Sequence, residues 1–194
     1  YAGLDRVYKS INRGSNFAPT STSGFLDGNL SLSMAISYTN PDTLYVGKAP
    51  LGARAHLFMT PNGGTTWIDV TGTLPDRYPM DIAVDPQNSR VVYAAFGGAA
   101  TGHIFKSVDA GHAWSDITGT LPDIPATAVF VDPAHSNVVF AGNDIGVYVS
   151  TNAGVSWNAF SDGLPDAVLI ADLSLSSSNR VLRATTHGNG VYQR

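Results

Sequence analysis

One octet, written four times, constrains this chain more than any other feature. Ser107-Val108-Asp109-Ala110-Gly111-His112-Ala113-Trp114 is matched by Thr60 to Trp67 (TPNGGTTW), Ser150 to Trp157 (STNAGVSW) and Ser10 to Phe17 (SINRGSNF). The shared pattern is Ser/Thr, any, Asp/Asn, any, Gly, any, a mostly small polar residue, aromatic. The starts lie 50, 47 and 43 residues apart. A period of that length marks a repeat architecture, in which each unit buries its apolar face only against its neighbours.

The repeat extends beyond the octet. Met80 to Val84 alternates and ends at Asp85-Pro86, a turn signal. Val91 to Ala95 reads as a second strand, Ile104 to Ser107 as a third running into the octet, and Trp114 to Ile117 as a fourth. Four short strands per unit predict an all-β fold, a β-propeller of four-stranded antiparallel blades. The strands are labelled A to D in chain order. A Leu-Pro-Asp link closes three units, at Asp76, Asp123 and Asp166. The blade boundaries read 1–29 (partial), 30–77, 78–124, 125–167 and 168–194 (a partial closing blade). The chain opens at Tyr1-Ala2-Gly3, which matches the tail of strand B, and stops at Arg194 after a strand C. About four blades are therefore expected, as the C-terminal portion of a larger ring of, for example, seven. The alternative is a small four-bladed ring, in which the strand near Phe17 completes the last blade.

Composition agrees. There is no Glu and there are only three Lys, residues that favour helix surfaces, whereas 20 Gly and 11 Pro punctuate the chain. A net charge of −4 gives no reason to expect nucleic acid, and no apolar run reaches the length of a membrane span. Cysteine is absent, which excludes disulfides and thiolate chemistry. No signal peptide is visible, so Tyr1 reads as a processing site or a cut.

The octet suits a tight hairpin between strands C and D. Asp109, or Asn12, Asn62 and Asn152 in its place, can cap the turn through bonds to backbone N–H groups. Gly14, Gly64, Gly111 and Gly154 supply a backbone conformation closed to other residues, and Trp67, Trp114 and Trp157 can bury a large flat area between blades. No cofactor or metal is needed. A calcium loop would require more oxygen ligands at alternating positions, and the histidines lack the spacing of a zinc motif.

These octets resemble Asp-boxes, also called BNR repeats, found in the propellers of sialidases, xyloglucan-cleaving glycosidases and sortilin-type receptors. The resemblance covers nearly the whole chain. It implies an extracellular or periplasmic protein whose octets are scaffold, set away from the ligand face. Ala113 departs from the usual Ser/Thr, and the first octet ends in Asn16-Phe17, so that copy is expected to be looser.

In a propeller the A–B and C–D turns share one face, and the B–C and D–A loops share the other, the usual ligand face. Asp85 and Asp132 then fall on the octet face as turn residues. The opposite face gathers Arg54, His56, His103, Asp144 and His187 from B–C loops, and Arg77 and Tyr78 from a D–A loop. Arg77, Tyr78, His103, Asp144 and His187 are the candidate ligand-binding residues. Asp76, Asp123 and Asp166 recur in every unit and read as caps of the Leu-Pro turn. Asp81 and Asp172 share a strand A position at which other units carry Ala35 and Ala128. Strand A lines the central channel, so these two are the candidate catalytic carboxylates; a solvated channel wall is the plainer reading.

Glycoside hydrolysis generally uses two carboxylates, which this pair could supply. The resemblance to sialidases implies a Tyr nucleophile paired with Glu and an Arg-Ile-Pro sequence. Neither Glu nor that sequence is present, so a complete sialidase site is not expected. The expected function is carbohydrate-associated, acting on or binding a polysaccharide or other glycan, with further blades supplied by the rest of the protein or another chain. The alternative is a non-catalytic scaffold for protein–protein contact, without nucleic acid or membrane partners.

Overall fold

The computed structural model describes residues 1–20 and 26–194; residues 21–25, inside the span 1–29, lie outside the described residues. Every regular element among them is a β-strand, and the strands form five antiparallel sheets. The first sheet holds β1 (Ala2–Gly3), β2 (Val7–Lys9) and β3 (Ala18–Pro19). The second holds β4 (Ser31–Ile36), β5 (Leu44–Lys48), β6 (Leu57–Thr60) and β7 (Ile68–Asp69). The third holds β8 (Pro79–Val84), β9 (Val92–Phe96), β10 (Ile104–Ser107) and β11 (Ser115–Asp116). The fourth holds β12 (Ala126–Val131), β13 (Val139–Asn143), β14 (Gly146–Ser150) and β15 (Asn158–Ala159). The fifth holds β16 (Ile170–Leu175), β17 (Leu182–Thr186) and β18 (Gly190–Gln193). Each sheet is a meander of neighbouring strands, as a propeller blade requires.

The four-bladed closure does not occur in this structure. β3 pairs with β2, Tyr8 opposite Pro19, and so belongs to the first sheet rather than to the fifth. A local hairpin across the octet brings β3 to β2 without a long loop closure.

The strand A segments run longer than the alternation suggests, because each carries a β-bulge. The register slips between Ser31 and Ser33, Pro79 and Asp81, Ala126 and Ala128, and Ile170 and Asp172. After the bulge, Ser33 faces Gly47, Asp81 faces Ala95, Ala128 faces Gly142 and Asp172 faces Thr185. This corrects one equivalence: Ser33, not Ala35, occupies the place of Asp81 in the second sheet.

The octets are built alike. The first hydroxyl donates to the third side chain, Ser107 Oγ to Asp109 Oδ1 at 2.7 Å, and accepts from the glycine N–H, Gly111 at 2.8 Å. The same Oδ1 accepts from Ala113 N–H at 2.9 Å. Ser10, Thr60 and Ser150 repeat these three bonds with Asn12, Asn62 and Asn152. The first octet is therefore formed like the others, although it stands exposed. The fourth residue is also left-handed: φ is 58° at Arg13, 65° at Ala110 and 58° at Ala153. Two successive positive φ values make the primed turn that matches strand twist.

The core lies between sheets, not within them. Strands β5, β9 and β13 are buried throughout, whereas β17 alternates and leaves Arg183 and Thr185 exposed. Trp114 enters the cluster formed by Leu57, Val70, Leu74, Val92, Ala94 and Phe105, and its Nε1 donates to Val70 O at 2.7 Å. Trp157 does the same one sheet on, with Ile104, Ile117, Leu121, Val139, Ala141 and Tyr148, donating to Ile117 O at 2.8 Å. Polar bonds tie the A–B turns across the third-to-fourth and fourth-to-fifth junctions. Ser136 Oγ donates to Asp85 Oδ1, and Arg180 NH1 donates to Asp132 Oδ1 at 2.9 Å, with NH2 on Oδ2. Asp85 and Asp132 also cap their own turns, accepting from Gln87 and Ala134 N–H. Lys48 ties the first junction. Its side chain is fully buried, and Nζ donates to Asp5 O at 3.1 Å and Ser31 Oγ at 3.3 Å. Burial lowers the pKa of Lys48, against the opposing pull of the Asp27 and Asp5 charges.

Candidate functional site

The first strands of successive sheets pack side by side, β4 on β8, β8 on β12 and β12 on β16, and so line the centre of the arc. Asp81 and Asp172 sit at the same ladder position on β8 and β16, with Ala128 between them on β12. Asp81 is half-buried; Oδ2 accepts from Val129 N–H across the junction at 2.9 Å, and Oδ1 from Ile82 N–H at 2.8 Å. Burial raises its pKa to about 6; the two N–H bonds oppose this, and the negative charge of Asp172 adds to it. The two carboxylates therefore lie within electrostatic reach although a whole sheet separates their strands. Asp172 is exposed, with Oδ1 accepting from Leu173 N–H at 2.8 Å. An acid whose proton affinity is raised into the weakly acidic range, beside a second carboxylate, is the arrangement that general acid–base chemistry uses.

The loop-face candidates do not converge on one place. Tyr78 donates its hydroxyl to Pro50 O at 3.1 Å and, with Arg54, Asp76 and Arg77, lines an open depression of about 440 Å³. Arg54 is held there by Gly72 O and Leu74 O, and Arg77 NH1 by Asp76 O. His103 lies elsewhere and is only 1% exposed; its Nε2 is 3.0 Å from Asp123 Oδ1. The structure thus places it in the loop scaffold, out of reach of an external ligand. Asp144 sits in the two-residue turn between β13 and β14, half-exposed, and His187 is exposed in the β17–β18 turn.

Two of the three recurring aspartates make contacts other than the expected one. Asp76 accepts from Ala55 N–H and Asp123 from Ala100 N–H, so each fastens the B–C loop of its own sheet instead of capping Leu-Pro. Asp166 is exposed.

One surface was not anticipated. A depression of about 580 Å³ lies along the opposite ends of the first strands, lined by Ile36, Tyr38, Val84 and Phe130 among others. Tyr38 lies just beyond β4 and is 85% exposed there. The sequence signal that could have found it is the Asn40-Pro41 turn immediately after. Among the described residues, no group of three or more His, Cys, Asp or Glu could hold a metal ion, and no helix is long and apolar enough to cross a membrane.

No protein-family model and no curated protein matches the chain. Solved structures do. An ancestral GH74 enzyme superposes with a TM-score of 0.75 at 26% identity, covering 95% of this chain and 25% of that one. The GH74 xyloglucanase from Xanthomonas campestris gives 0.75 at 18% identity, covering 98% of this chain and 33% of the other. The GH74 enzyme of Niastella koreensis gives 0.74 at 19%, covering 98% and 32%. The fold is that of a β-propeller, and the chain spans a third or less of the length of these three proteins.

Proposed function

We propose that this chain is part of a carbohydrate-associated Asp-box propeller of extracellular or periplasmic location, acting on or binding glycans. In this reading the spans 30–77, 78–124 and 125–167 are complete blades, and 1–29 and 168–194 are partial ones. The carrying observation is the carboxylate pair on the channel strands, Asp81 with its pKa raised to about 6 and Asp172 within electrostatic reach of it. Asp81 would donate the proton to a glycosidic oxygen, and Asp172 would serve as the second carboxylate. The GH74 neighbours supply the substrate class to try first, xyloglucan. Arg77 and Tyr78 are the proposed contacts on the loop face.

A second reading rests on an equally specific observation. Both Asp81 oxygens accept backbone N–H bonds, one across the blade junction, as a staple in a non-catalytic scaffold would. Reducing-end release from xyloglucan and other β-glucans, with Asp81→Asn and Asp172→Asn, separates the two. Loss of turnover in both variants with melting no lower than that of the parent supports the paired-carboxylate site. Turnover indifferent to both changes sinks it. Absence of both hydrolysis and retention in a polysaccharide affinity gel refutes carbohydrate association for these residues.

A further inference from the structure

The depression lined by Arg54, Arg77 and Tyr78 carries positive charge that the fold does not use. It lies between two complete sheets, where the β5–β6 loop meets the β7–β8 link, and neither chain end contributes to it. Its volume, about 440 Å³, falls in the range of small-ligand clefts. Arg54 donates to Gly72 O at 3.0 Å and to Leu74 O at 3.1 Å, and Arg77 to Asp76 O at 2.8 Å. These partners are neutral carbonyls, and among the described residues neither arginine forms an ion pair. A guanidinium has five N–H donors and stays protonated, so both keep donors to spare. Asp76 is the one carboxylate among the lining residues, and its Oδ1 is engaged by Ala55 N–H at 3.1 Å.

The lining side chains are fixed in advance. The Tyr78 hydroxyl donates to Pro50 O at 3.1 Å, which pins the ring while the residue stays 43% exposed. The stem of Arg77 lies against Gly98 of the third sheet's own loop, where an added Cβ would sit 2.5 Å from Arg77 Cδ. Glycine at that place, with φ of 89°, leaves the room the stem occupies. The scaffold requires neither Arg77 nor Tyr78. The next link makes the same backbone turn, with Ile124 N–H on Pro122 O at 2.8 Å where Arg77 N–H meets Pro75 O at 2.9 Å. It does so with Ile124 and Pro125 in place of Arg77 and Tyr78.

We propose that this depression is a subsite for an acidic sugar, a uronate unit of a polysaccharide. The uronate carboxylate accepts from the spare donors of Arg77 and Arg54, whose planar forks match its two oxygens. The sugar ring lays its apolar C–H face on Tyr78. The net charge of −4 repels anions from the molecule as a whole, so selection for an acidic unit comes from this local pair of cations. The inference rests on the reading of the chain as glycan-associated, adds the charge of the ligand, and needs no turnover at Asp81.

The test is calorimetric titration of the full chain with tetragalacturonate and with a β-linked tetraglucuronate, each beside its neutral methyl ester, in buffer free of divalent cations. Saturable binding of a uronide is expected, weakened at least about 10-fold in the ester, which loses the charge-assisted bonds. Arg77→Gln and Tyr78→Ala should each weaken it by about 10-fold or more with melting unchanged, since each side chain is exposed and hydrogen-bonds to a single carbonyl. Binding that ignores esterification, or that ignores both substitutions, overturns the proposal. Equal binding of an oligoaspartate of the same charge overturns the choice of a sugar, in favour of an acidic peptide. Absence of saturable binding to either uronide also overturns it; retention of neutral polysaccharides in the affinity gel then leaves the glycan reading standing, and loss of that retention takes both down.

Discussion

Changing Gly64 and Gly14 to alanine, separately, tests whether the octet is a packing device between blades or only a turn. The two glycines have almost the same backbone, with φ of 91° and 87°. An alanine there carries the same left-handed cost at both sites, about 1–2 kcal/mol. Their surroundings differ. A Cβ on Gly64 would lie 2.3 Å from Thr20 Cβ, whereas a Cβ on Gly14 meets nothing within 4 Å among the described atoms. Thr20 cannot easily retreat, because its N–H and hydroxyl both donate to Val7 O. Overpacking of this kind adds about 1–3 kcal/mol. Gly64→Ala is thus expected to cost about 2–5 kcal/mol and Gly14→Ala only about 1–2. Urea unfolding followed by both circular dichroism and Trp fluorescence measures the difference, provided the two probes coincide. In a Thr20→Gly background the cost of Gly64→Ala should fall to that of Gly14→Ala. Equal costs at the two glycines, or no coupling to Thr20, would refute the interblade role.

Three further outcomes follow from single sites. Asp132 is held down at about 2 because, although burial would raise it, Arg180 and the Ala134 N–H more than offset that. Its contribution, on the order of 2 kcal/mol, is therefore full above the ordinary carboxylate range and lost as pH falls through about 4 to 2; Asp132→Asn should flatten the acid limb of a melting-temperature profile. Ala110→Gly, at φ 65°, should be neutral or stabilising by up to about 1 kcal/mol in urea unfolding, the opposite sign from any octet Gly→Ala change. Tyr38→Ala should leave melting unchanged and, if the apolar depression stacks a sugar, lower polysaccharide retention in affinity gels; unchanged retention excludes that surface.

The blade plan was legible because octet, turn and strand recur in phase, so local signals from separate units correct one another. The hairpin chemistry followed from residue type alone. Register did not. The bulge in each first strand inserts a residue that alternation cannot show, and this is why Ala35 stood in for Ser33. Ties across junctions were equally hidden. Arg180 reaches Asp132 and Lys48 reaches Asp5 over distances in sequence that only the stacked blades make short. The burial of His103 depends on how its loop folds back on Asp123, which spacing does not encode. Arg183 did carry a readable signal. It replaces the aromatic of strand B where β17 leaves one face to water.

The four equivalents after the bulge bear on what Asp81 is for. At this ladder position the second sheet uses Ser33, whose hydroxyl donates to Pro79 O across the junction at 2.6 Å. The fourth uses Ala128 and leaves the crossing to Thr127, which donates to Ile170 O. Neutral residues can therefore hold an equivalent junction, and the fold does not call for a charge there. A carboxylate in that place carries a desolvation cost, which the raised pKa registers: the folded group binds its proton up to about 6, the unfolded one only to about 4, so stability from this site declines as pH rises across that window. Asp81→Asn removes the decline and keeps an acceptor for Val129 N–H. Its melting temperature at pH 7.5 should equal or exceed that of the parent, and the difference should vanish near pH 4. If the variant is instead less stable by more than about 2 kcal/mol at pH 7.5, the charge serves the junction and the case for Asp81 as a functional acid fails.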